Sequence, residues 1–370
     1  MHGTLGPQLL SGRLATADTA DLAEGSPVAD SLEGLANSTL GGLALGSLAL
    51  GDAELRDQEP ALNPEGEVGR SQPTAAPATT NRIRDFVVLS KPRIAVMSLL
   101  VVAAGYAVGQ TAGLNVAPFW PSLLGIGLVA VASSVLNQWL ERETDGLMRR
   151  TERRPLPTGR ITAGEALLYG GVCLALGLGV LLARVNLATA AWSLATCVLY
   201  VAVYTPLKRK IPLATTVGAI PGALPPVLGW LAAGRPADWG ALALFAILFL
   251  WQFPHFLAIA WMYRDDYERA GLKMLPTSRP IPGVTGWMAV AYALALIPAS
   301  LLPAGVGLAG GLYQVAALVL GVWYLAQSVA FARREDTASA RKLLRVSLVY
   351  LPVLLAVLVY DHYRLLDWGR

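Results

Sequence analysis

Residues 119–140 read FWPSLLGIGLVAVASSVLNQWL, and the charged string ERETDGLMRR follows them at residues 141–150. The first string is an apolar run about as long as the roughly 20 residues that an α-helix needs to cross a bilayer. The chain as a whole is 54% hydrophobic and 15% charged, whereas an ordinary soluble domain carries about 25% charged residues. This composition excludes a soluble globular fold and predicts an all-α polytopic membrane protein.

Comparable apolar runs recur on both sides of this stretch and predict nine transmembrane helices. Small residues such as Gly218, Ala219, Gly222 and Ala223 would let two of these helices approach closely. The predicted helices lie at about residues 94–110, 119–140, 164–183, 187–206, 212–233, 240–263, 284–303, 308–332 and 346–361.

Basic residues alternate from one connecting loop to the next. One set of loops holds 22 Lys and Arg residues, whereas the alternate loops and the C-terminus hold four: Arg184, Arg235, Arg364 and Arg370. Cytoplasmic loops of membrane proteins carry the excess of basic residues. The pattern therefore predicts a cytoplasmic N-terminus and a C-terminus on the outer side.

The first 80 residues differ sharply from the rest. They hold three arginines and eleven acidic residues, a net charge of −8, whereas residues 81–370 carry +12. Their Gly, Ala, Ser, Pro and Thr content predicts a disordered acidic tail, because such a segment buries too little apolar surface to offset its ordering entropy. The tail resembles neither a secretory signal nor a mitochondrial presequence, which favours a bacterial plasma membrane.

Cysteine and histidine are scarce. Cys173 and Cys197 both lie inside apolar runs and show no metal-binding spacing, so we interpret them as small core residues. The chain contains three histidines, at His2, His255 and His362. This inventory excludes a multi-histidine metal site.

The end of the quoted stretch carries a polar stripe. Asn137, Glu141 and Asp145 are four residues apart and project from one face of a helix. Like charges at this spacing repel, but Mg²⁺ prefers oxygen ligands and bridges carboxylates to substrate phosphates. The alternative is a solvated loop edge neutralised by Arg142 and Arg149.

Guanidinium groups, which bind phosphate oxygens bidentately, follow the stripe closely. The carboxylates and arginines together predict a clamp for a metal-bound diphosphate. The short basic string at residues 208–210 would contribute from the same side, or would serve only as a positive-inside anchor. The arginines of the clamp are Arg149, Arg150, Arg153 and Arg154.

Three strings carry a family resemblance: NQWLERETDGLMRRTERRPLPTGRI, YTPLKRKIPLATTVGAIPGALPPVLGW and WQFPHFLAIAWMYRDDYERAGLKMLP. They resemble the haem-modifying branch of the UbiA superfamily of intramembrane prenyltransferases, over about residues 82–365. The resemblance implies a UbiA-type bundle of nine helices with its active site at the cytoplasmic side.

The resemblance also implies the site residues. Mg²⁺ would be held by Asn137, Glu141, Asp145 and Asp266, although Glu141 stands where the superfamily usually has Asp. The second acidic motif of the superfamily, DxxxD, is replaced by a DDY string, in which Asp266 and Tyr267 carry more weight than Asp265. The implied substrate-binding residues are Arg149, Arg150, Arg154, Lys208, Arg209, Asp265, Tyr267 and Lys273.

For function, the resemblance implies that a farnesyl group passes from farnesyl diphosphate to a vinyl group of haem B, with addition of water, giving haem O for haem–copper oxidases. The expected partners are the two substrates and the lipid bilayer, with haem A synthase or cytochrome oxidase assembly proteins downstream. A nucleic-acid partner is not expected.

His255 lies within an apolar run, about ten residues before Asp265. An ionisable residue at membrane depth suggests function, and we expect it to serve the haem, as an iron ligand, a hydrogen-bond partner or a base. The alternative is a histidine paired to another helix.

Three other functions compete with this interpretation. The first is a UbiA-type prenyltransferase that acts on an aromatic or quinone precursor, which the RTxxRP, PHF and DDY strings disfavour. A secondary transporter places its charges near the membrane midplane and often shows repeats, whereas the acidic residues here lie at one predicted membrane face. A haem chaperone or scaffold would not need the clamp.

Overall fold

The computed structural model describes residues 81–208, 210–211, 214–272 and 282–368. The acidic tail of residues 1–80 lies outside this range, as do Arg209 and Lys273. The described residues are helical and contain no strand. In chain order the helices are α1 (Arg82–Ser90), α2 (Pro92–Val108), α3 (Val116–Asp145), α4 (Ala163–Arg184), α5 (Leu187–Leu207), α6 (Ala214–Ala223), α7 (Pro225–Ala232), α8 (Trp239–Met262), α9 (Arg264–Arg269), α10 (Val284–Gly305), α11 (Gly311–Arg334) and α12 (Thr337–Trp368).

Within the described part of the chain, seven helices are long and apolar enough to cross a membrane. The pair α1 and α2, bent by 41° at Lys91, would make an eighth if counted as one span. The prediction of an integral membrane protein built from helices is therefore confirmed. The count of nine is not reached by these criteria.

The structure differs most from the prediction in the fifth span, predicted at residues 212–233. This span forms two short helices, α6 and α7, that meet at Leu224. Pro225 and Pro226 occupy the first two positions of α7, where their missing N–H groups are tolerated. The same prolines cannot continue the hydrogen-bond ladder of α6, so the helix ends there.

Polar side chains fix where several helices begin. Asn115, Asn186 and Asp238 each accept a hydrogen bond from a backbone N–H in the first turn of α3, α5 or α8. Thr162 and Glu165 form a reciprocal capping box at the start of α4. These contacts satisfy N–H groups that the membrane interior could not.

Close helix contacts hold the bundle together. A Cβ atom on Gly229 of α7 would lie 2.0 Å from the carbonyl oxygen of Val102 in α2, so only glycine permits this approach. Likewise, a Cβ on Gly218 of α6 would lie 2.5 Å from the ring of Tyr204 in α5. Ala219 and Ala223 are fully buried. The predicted close approach through these small residues is confirmed.

The segment between α3 and α4, residues 146–162, is called the arginine loop below. Its Leu156 and Ile161 pack with Leu89 of α1 and Val135 of α3. Thr151 Oγ1 donates a hydrogen bond to the backbone carbonyl of Asp145 at 2.7 Å. Both contacts fold the loop back over the end of α3, where the polar stripe lies.

Candidate active site

The polar stripe lies on the last two turns of α3, which runs to Asp145, five residues beyond the predicted end of the second span. Asn137, Glu141 and Asp145 are 2%, 5% and 2% exposed. The prediction that they share one helical face is confirmed. They do not form the solvated edge that was the alternative, since all three are buried.

Each residue of the stripe meets a partner from another element. Asn137 Nδ2 donates to Thr205 Oγ1 in α5 at 2.9 Å. Glu141 forms an ion pair with Lys208, just after α5. Asp145 Oδ2 accepts a hydrogen bond from Arg154 of the arginine loop at 2.8 Å. The stripe, the end of α5 and the arginine loop thus form one buried polar cluster.

Lys91 also belongs to this cluster, although the sequence analysis treated it only as a basic loop residue. It lies at the bend between α1 and α2 with a left-handed φ of 46°. Its ammonium interacts electrostatically with Glu141, Asp145, Arg154 and Lys208. The position of Lys91 directly before Pro92 predicts a helix boundary, but no sequence pattern predicts its place in the cluster.

Two tyrosines of α5 form a wall beside the carboxylates. The rings of Tyr200 and Tyr204 stack with centroids 5.7 Å apart. Both tyrosines interact electrostatically with Glu141, and Tyr204 also with Tyr267. The sequence analysis missed them, although their spacing with Lys208, four residues each, places all three on one helical face.

The DDY string forms α9, which packs beside the arginine loop. Tyr267 is buried against Met148 and Leu272, and the guanidinium of Arg150 lies 4.8 Å from the ring centroid of Tyr263. The same guanidinium is 6.0 Å from the ring of Tyr267. The structure therefore brings the first and second acidic regions together through aromatic and cationic side chains.

The two aspartates of α9 make different contacts. Asp266, with a side chain 13% exposed, forms an ion pair with Arg269 of its own helix. Asp265 is 83% exposed and lies 3.6 Å from Arg264. Neither carboxylate is grouped with Glu141 and Asp145 in the structure, since among the described residues no three His, Cys, Asp or Glu side chains come together as a metal site.

The residues of the stripe nevertheless suit Mg²⁺. Glu141 Oε1 is buried and, among the described residues, faces the Lys208 cation without accepting a directed hydrogen bond. Two carboxylates and one amide oxygen would supply part of an octahedral oxygen shell. Mg²⁺ in proteins usually takes its remaining ligands from water and substrate phosphates. Asp266 as a further ligand stays a prediction.

The other predicted substrate-binding residues divide by exposure. Arg149 and Arg150 are exposed on the arginine loop, whereas the side chain of Arg154 is 25% exposed and reaches into the cluster. Arg153, a further arginine of the predicted clamp, is 92% exposed and turns away. Positions 209 and 273 are outside the described residues.

His255 lies in α8, apart from the carboxylate cluster. Its Nδ1 is 2.8 Å from Ser347 Oγ in α12, and its ring stacks on Trp251 with centroids 5.0 Å apart. Trp251 Nε1 donates to the carbonyl of Ser347. The histidine thus makes the helix-to-helix contact that was the alternative interpretation, and a role toward haem stays a prediction.

Known proteins are similar to this chain over most of its length. Residues 98–351 match the sequence model of the UbiA prenyltransferase family. A protoheme IX farnesyltransferase from Solibacter usitatus is 44% identical over 288 residues, covering 75% of this chain and 99% of that protein. Those from Koribacter versatilis and Aquifex aeolicus are 42% and 37% identical, covering 79% and 77% of this chain and 98% and 97% of those proteins.

Solved structures share the fold. A digeranylgeranylglyceryl phosphate synthase superposes with a TM-score of 0.65 at 14% identity, covering 77% of this chain and all of that one. A UbiA homologue from Archaeoglobus fulgidus bound to GPP and Mg²⁺ gives 0.56 at 20% identity, covering 76% and 99%. Because the family match spans residues 98–351 and the protoheme IX farnesyltransferase from Solibacter usitatus is 44% identical, the chain belongs to the UbiA prenyltransferase family.

Proposed function

We propose that this protein transfers the farnesyl group of farnesyl diphosphate to a vinyl group of haem B, giving haem O. The acceptor follows from the relatives at 37–44% identity, which are named protoheme IX farnesyltransferases. The observation that carries the chemistry is the buried cluster in which Glu141 and Asp145 meet Lys208 and Arg154. Carboxylates for a metal and cations for a diphosphate are present within one site.

In this proposal, Asn137, Glu141 and Asp145 hold Mg²⁺, with Asp266 as a further ligand. Bound there, Mg²⁺ would neutralise charge on the departing diphosphate. Arg154 and Lys208 would bind its other oxygens, together with Arg149 and Arg150, which are exposed on the arginine loop. Arg209 and Lys273 stay predicted ligands of the diphosphate. Arg154 and Lys208 would favour departure by stabilising the negative charge that develops on the diphosphate.

The proposed reaction needs neither an oxidant nor a reductant. The bond between C1 of the farnesyl chain and the diphosphate oxygen breaks, which leaves allylic cation character at C1. The terminal vinyl carbon of haem B forms the new bond to C1, and water adds to the adjacent carbon. Water loses a proton in this step, and the product carries a hydroxyethylfarnesyl side chain.

The rings of Tyr200 and Tyr204 suit the first step of this reaction, the departure of the diphosphate. They form an aromatic wall next to Glu141, where an allylic cation would be shielded from water before the vinyl group arrives. A cationic carbon is also attracted to the face of an aromatic ring. We therefore place C1 of the farnesyl chain between this wall and the carboxylates.

Haem would occupy the deeper part of the bundle. The largely apolar porphyrin suits membrane depth, whereas a diphosphate with about three negative charges belongs near the charged membrane face. His255 would bind the iron, donate a hydrogen bond or act as a base, and the haem propionates would reach toward Lys208 and Arg209.

The basic loops support an orientation for this site. From the excess of Lys and Arg we infer that the cluster faces the cytoplasm. We propose that the membrane is a bacterial inner membrane, with the N-terminus inside and the C-terminus outside. Haem O would then pass to haem A synthase or to cytochrome oxidase assembly proteins in the same membrane.

A direct assay tests the proposed reaction. Purified protein in detergent is incubated with farnesyl diphosphate, Mg²⁺ and haem B, and the products are analysed by mass spectrometry. We expect the mass of haem O, absent when Mg²⁺ is chelated. Prenylation of an added aromatic acid, with haem B left unchanged, would instead assign the chain to the other prenyltransferase branch.

A further inference from the structure

Ser347 of α12 contacts two aromatic residues of α8 at the same time. Its Oγ lies 2.8 Å from Nδ1 of His255, and its backbone carbonyl accepts a hydrogen bond from Trp251 Nε1 at 2.9 Å. The indole of Trp251 in turn stacks on the imidazole, with ring centroids 5.0 Å apart. Ser347, which is fully buried, therefore holds one edge of the histidine ring directly and one face of it through Trp251.

The hydrogen bond between Ser347 and His255 runs in one direction. Ser347 Oγ also lies 2.6 Å from the backbone carbonyl oxygen of Leu344, one turn earlier in α12. A carbonyl oxygen has no proton to donate, and two oxygens at this distance repel each other unless a proton lies between them. The single hydroxyl proton of Ser347 therefore points to Leu344, so that Oγ can only accept a hydrogen bond from Nδ1 of His255.

The nearby hydroxyl of Tyr324 in α11 leaves this direction unchanged. It donates to the backbone carbonyl of Trp251 at 3.0 Å, and it interacts with the side chain of Ser347. A tyrosine hydroxyl has one proton, and here that proton points to a carbonyl that can only accept. Both hydroxyls beside His255 thus direct their protons to backbone carbonyls, and neither of them donates to the imidazole.

We expect the imidazole to carry no charge. His255 lies seven residues before the end of α8 at Met262, which is about 10 Å of helix rise. Its hydrogen-bond and ring contacts are Ser347, Trp251 and Phe256, so the described residues supply no carboxylate to balance an imidazolium. An unpaired charge at membrane depth is costly.

These contacts determine which nitrogen of His255 is available. A neutral imidazole carries one proton, and the direction of the hydrogen bond places that proton on Nδ1. The ring is partly exposed, and within the described part of the chain Nε2 makes no hydrogen bond. The lone pair of Nε2 is therefore free to interact with a ligand.

We propose that Ser347 is a positioning residue that fixes the tautomer and orientation of His255, so that the imidazole acts on haem through the lone pair of Nε2. This inference rests on the proposed function and narrows the role of His255 in it. Binding the haem iron and accepting the proton of the attacking water both use that lone pair. Donation of a hydrogen bond to haem is excluded, because the only N–H group of the neutral ring is already held by Ser347.

The tautomer can be measured without any reaction. Full-length protein containing ¹³C- and ¹⁵N-labelled histidine is placed in lipid bilayers, and solid-state NMR distinguishes a proton on Nδ1 from one on Nε2. The chain has three histidines, and the signals of His255 are those that disappear in the His255→Asn variant. We expect one neutral tautomer with its proton on Nδ1. A proton on Nε2, or on both nitrogens, would overturn the proposal.

Ser347→Ala removes the acceptor and should release the tautomer. We expect signals of both neutral forms of His255 and about tenfold lower turnover, because partners that orient a histidine commonly contribute about 10- to 100-fold to metal affinity or activity. Farnesyl diphosphate affinity should not change. Ser347→Thr, which retains a hydroxyl, should restore the single tautomer.

Ser328 of α11 provides a matched control for Ser347→Ala. It is also fully buried, and its Oγ donates to a carbonyl of its own helix, that of Tyr324, at 3.0 Å. Ser328→Ala therefore removes a comparable buried hydroxyl and should leave the tautomer of His255 and the turnover of folded protein unchanged. If the two alanine variants have equal effects on turnover and neither changes the tautomer, Ser347 only packs the helices.

His255→Asn separates the helix contact from the lone pair. The amide nitrogen of asparagine can still donate to Ser347, but nothing replaces the lone pair of Nε2. We expect turnover per folded molecule to fall by at least about tenfold. A Soret band altered in this variant would identify iron binding as the role of the lone pair, and an unaltered band would identify proton acceptance. Normal turnover would overturn the proposal.

The failures of the two proposals are distinguishable. If the unmodified protein carries the proton on Nδ1 but forms no haem O, the proposed function fails and the assignment of the tautomer stands. If haem O is formed and Ser347→Ala keeps the single tautomer and full turnover, the positioning role is wrong. The spectrum of the unmodified protein and His255→Asn decide the proposal even where Ser347→Ala does not fold.

Discussion

Buried carboxylates occur in two different settings in this bundle. Asp361 of α12 is fully buried, and its Oδ2 accepts hydrogen bonds from the backbone N–H groups of Gly310 at 2.6 Å and Tyr313 at 3.1 Å. Arg364 pairs with its other oxygen at 2.7 Å. Glu141 and Asp145 instead have the long side chains of Lys208 and Arg154 as their charged partners.

The two settings differ in whether the partner of the carboxylate can move away from it. A backbone N–H at the start of α11 is fixed by the helix that it begins, so Asp361 serves as a permanent cap and complements the helix dipole. The charged groups of Lys208 and Arg154 lie at the ends of long, flexible side chains. They can turn to a new anion while the carboxylate binds a metal. Fixed partners indicate a structural carboxylate, and replaceable partners indicate a site.

The largest effect should follow from removing charge at the cluster. Glu141→Gln or Asp145→Asn should lower turnover by at least about a hundredfold, because metal and diphosphate lose their anchoring ligand. Membrane insertion should be unchanged. The measurement is haem O formation at saturating Mg²⁺, with the exposed Glu143→Gln as control. Near-normal turnover in either variant would exclude the stripe as the metal site.

Asp361→Ala should show the opposite pattern. Losing the cap of α11 and the ion pair with Arg364 should destabilise the protein by about 2 kcal/mol, while turnover of the folded fraction stays within about threefold. Thermal unfolding in detergent measures the first effect. Asp367→Ala, an exposed change in the same helix, is the control. A loss of turnover without a loss of stability would show that the distinction between the two settings is wrong.

His255 has a structural contact with another helix and is also a predicted haem-binding residue. His255→Ala should weaken haem binding by about tenfold, since an axial or hydrogen-bonding imidazole contributes directly to the haem site. Farnesyl diphosphate affinity should stay within a few-fold of the unmodified protein. The haem Soret spectrum reports the change. An unchanged spectrum with normal turnover would leave His255 only its contact with Ser347 in α12.

The smallest effect should follow from deleting residues 2–78. The tail lies outside the sequence resemblance, and its composition is typical of disorder, so activity in detergent should change by less than about twofold. Specific activity of the deleted and full-length proteins is compared at equal folded concentration. A large loss would make the tail part of the enzyme.

The sequence predicted the stripe better than its partners. A spacing of four residues fixes the common face of Asn137, Glu141 and Asp145 whatever surrounds the helix. The partner of Glu141 is 67 positions later in the chain, at Lys208, and no local pattern selects it from the other basic residues of the loops. Lys91 was missed for the same reason, because the positive-inside rule already explains a loop lysine.

Tertiary packing also decided where one span breaks. The hydropathy pattern predicted a single helix at residues 212–233, but the structure divides it at Leu224, directly before Pro225 and Pro226. A proline pair permits either outcome, and a kinked span and two short helices have the same hydropathy. The close approach of Gly229 in α7 to Val102 in α2 is a tertiary contact of the second short helix, and hydropathy alone does not predict it.

The π-helical segment of α5, Leu199–Tyr204, has a consequence for angular phase. Buried polar or small residues recur every four positions at Thr189, Ser193 and Cys197, and Thr205 continues that series eight positions later. In a regular α-helix, the sixteen steps from Thr189 to Thr205 would turn the last residue about 160° away from the first. The wider π turn takes back part of that rotation. One helix can therefore present a single stripe from the apolar interior to the residue that holds Asn137.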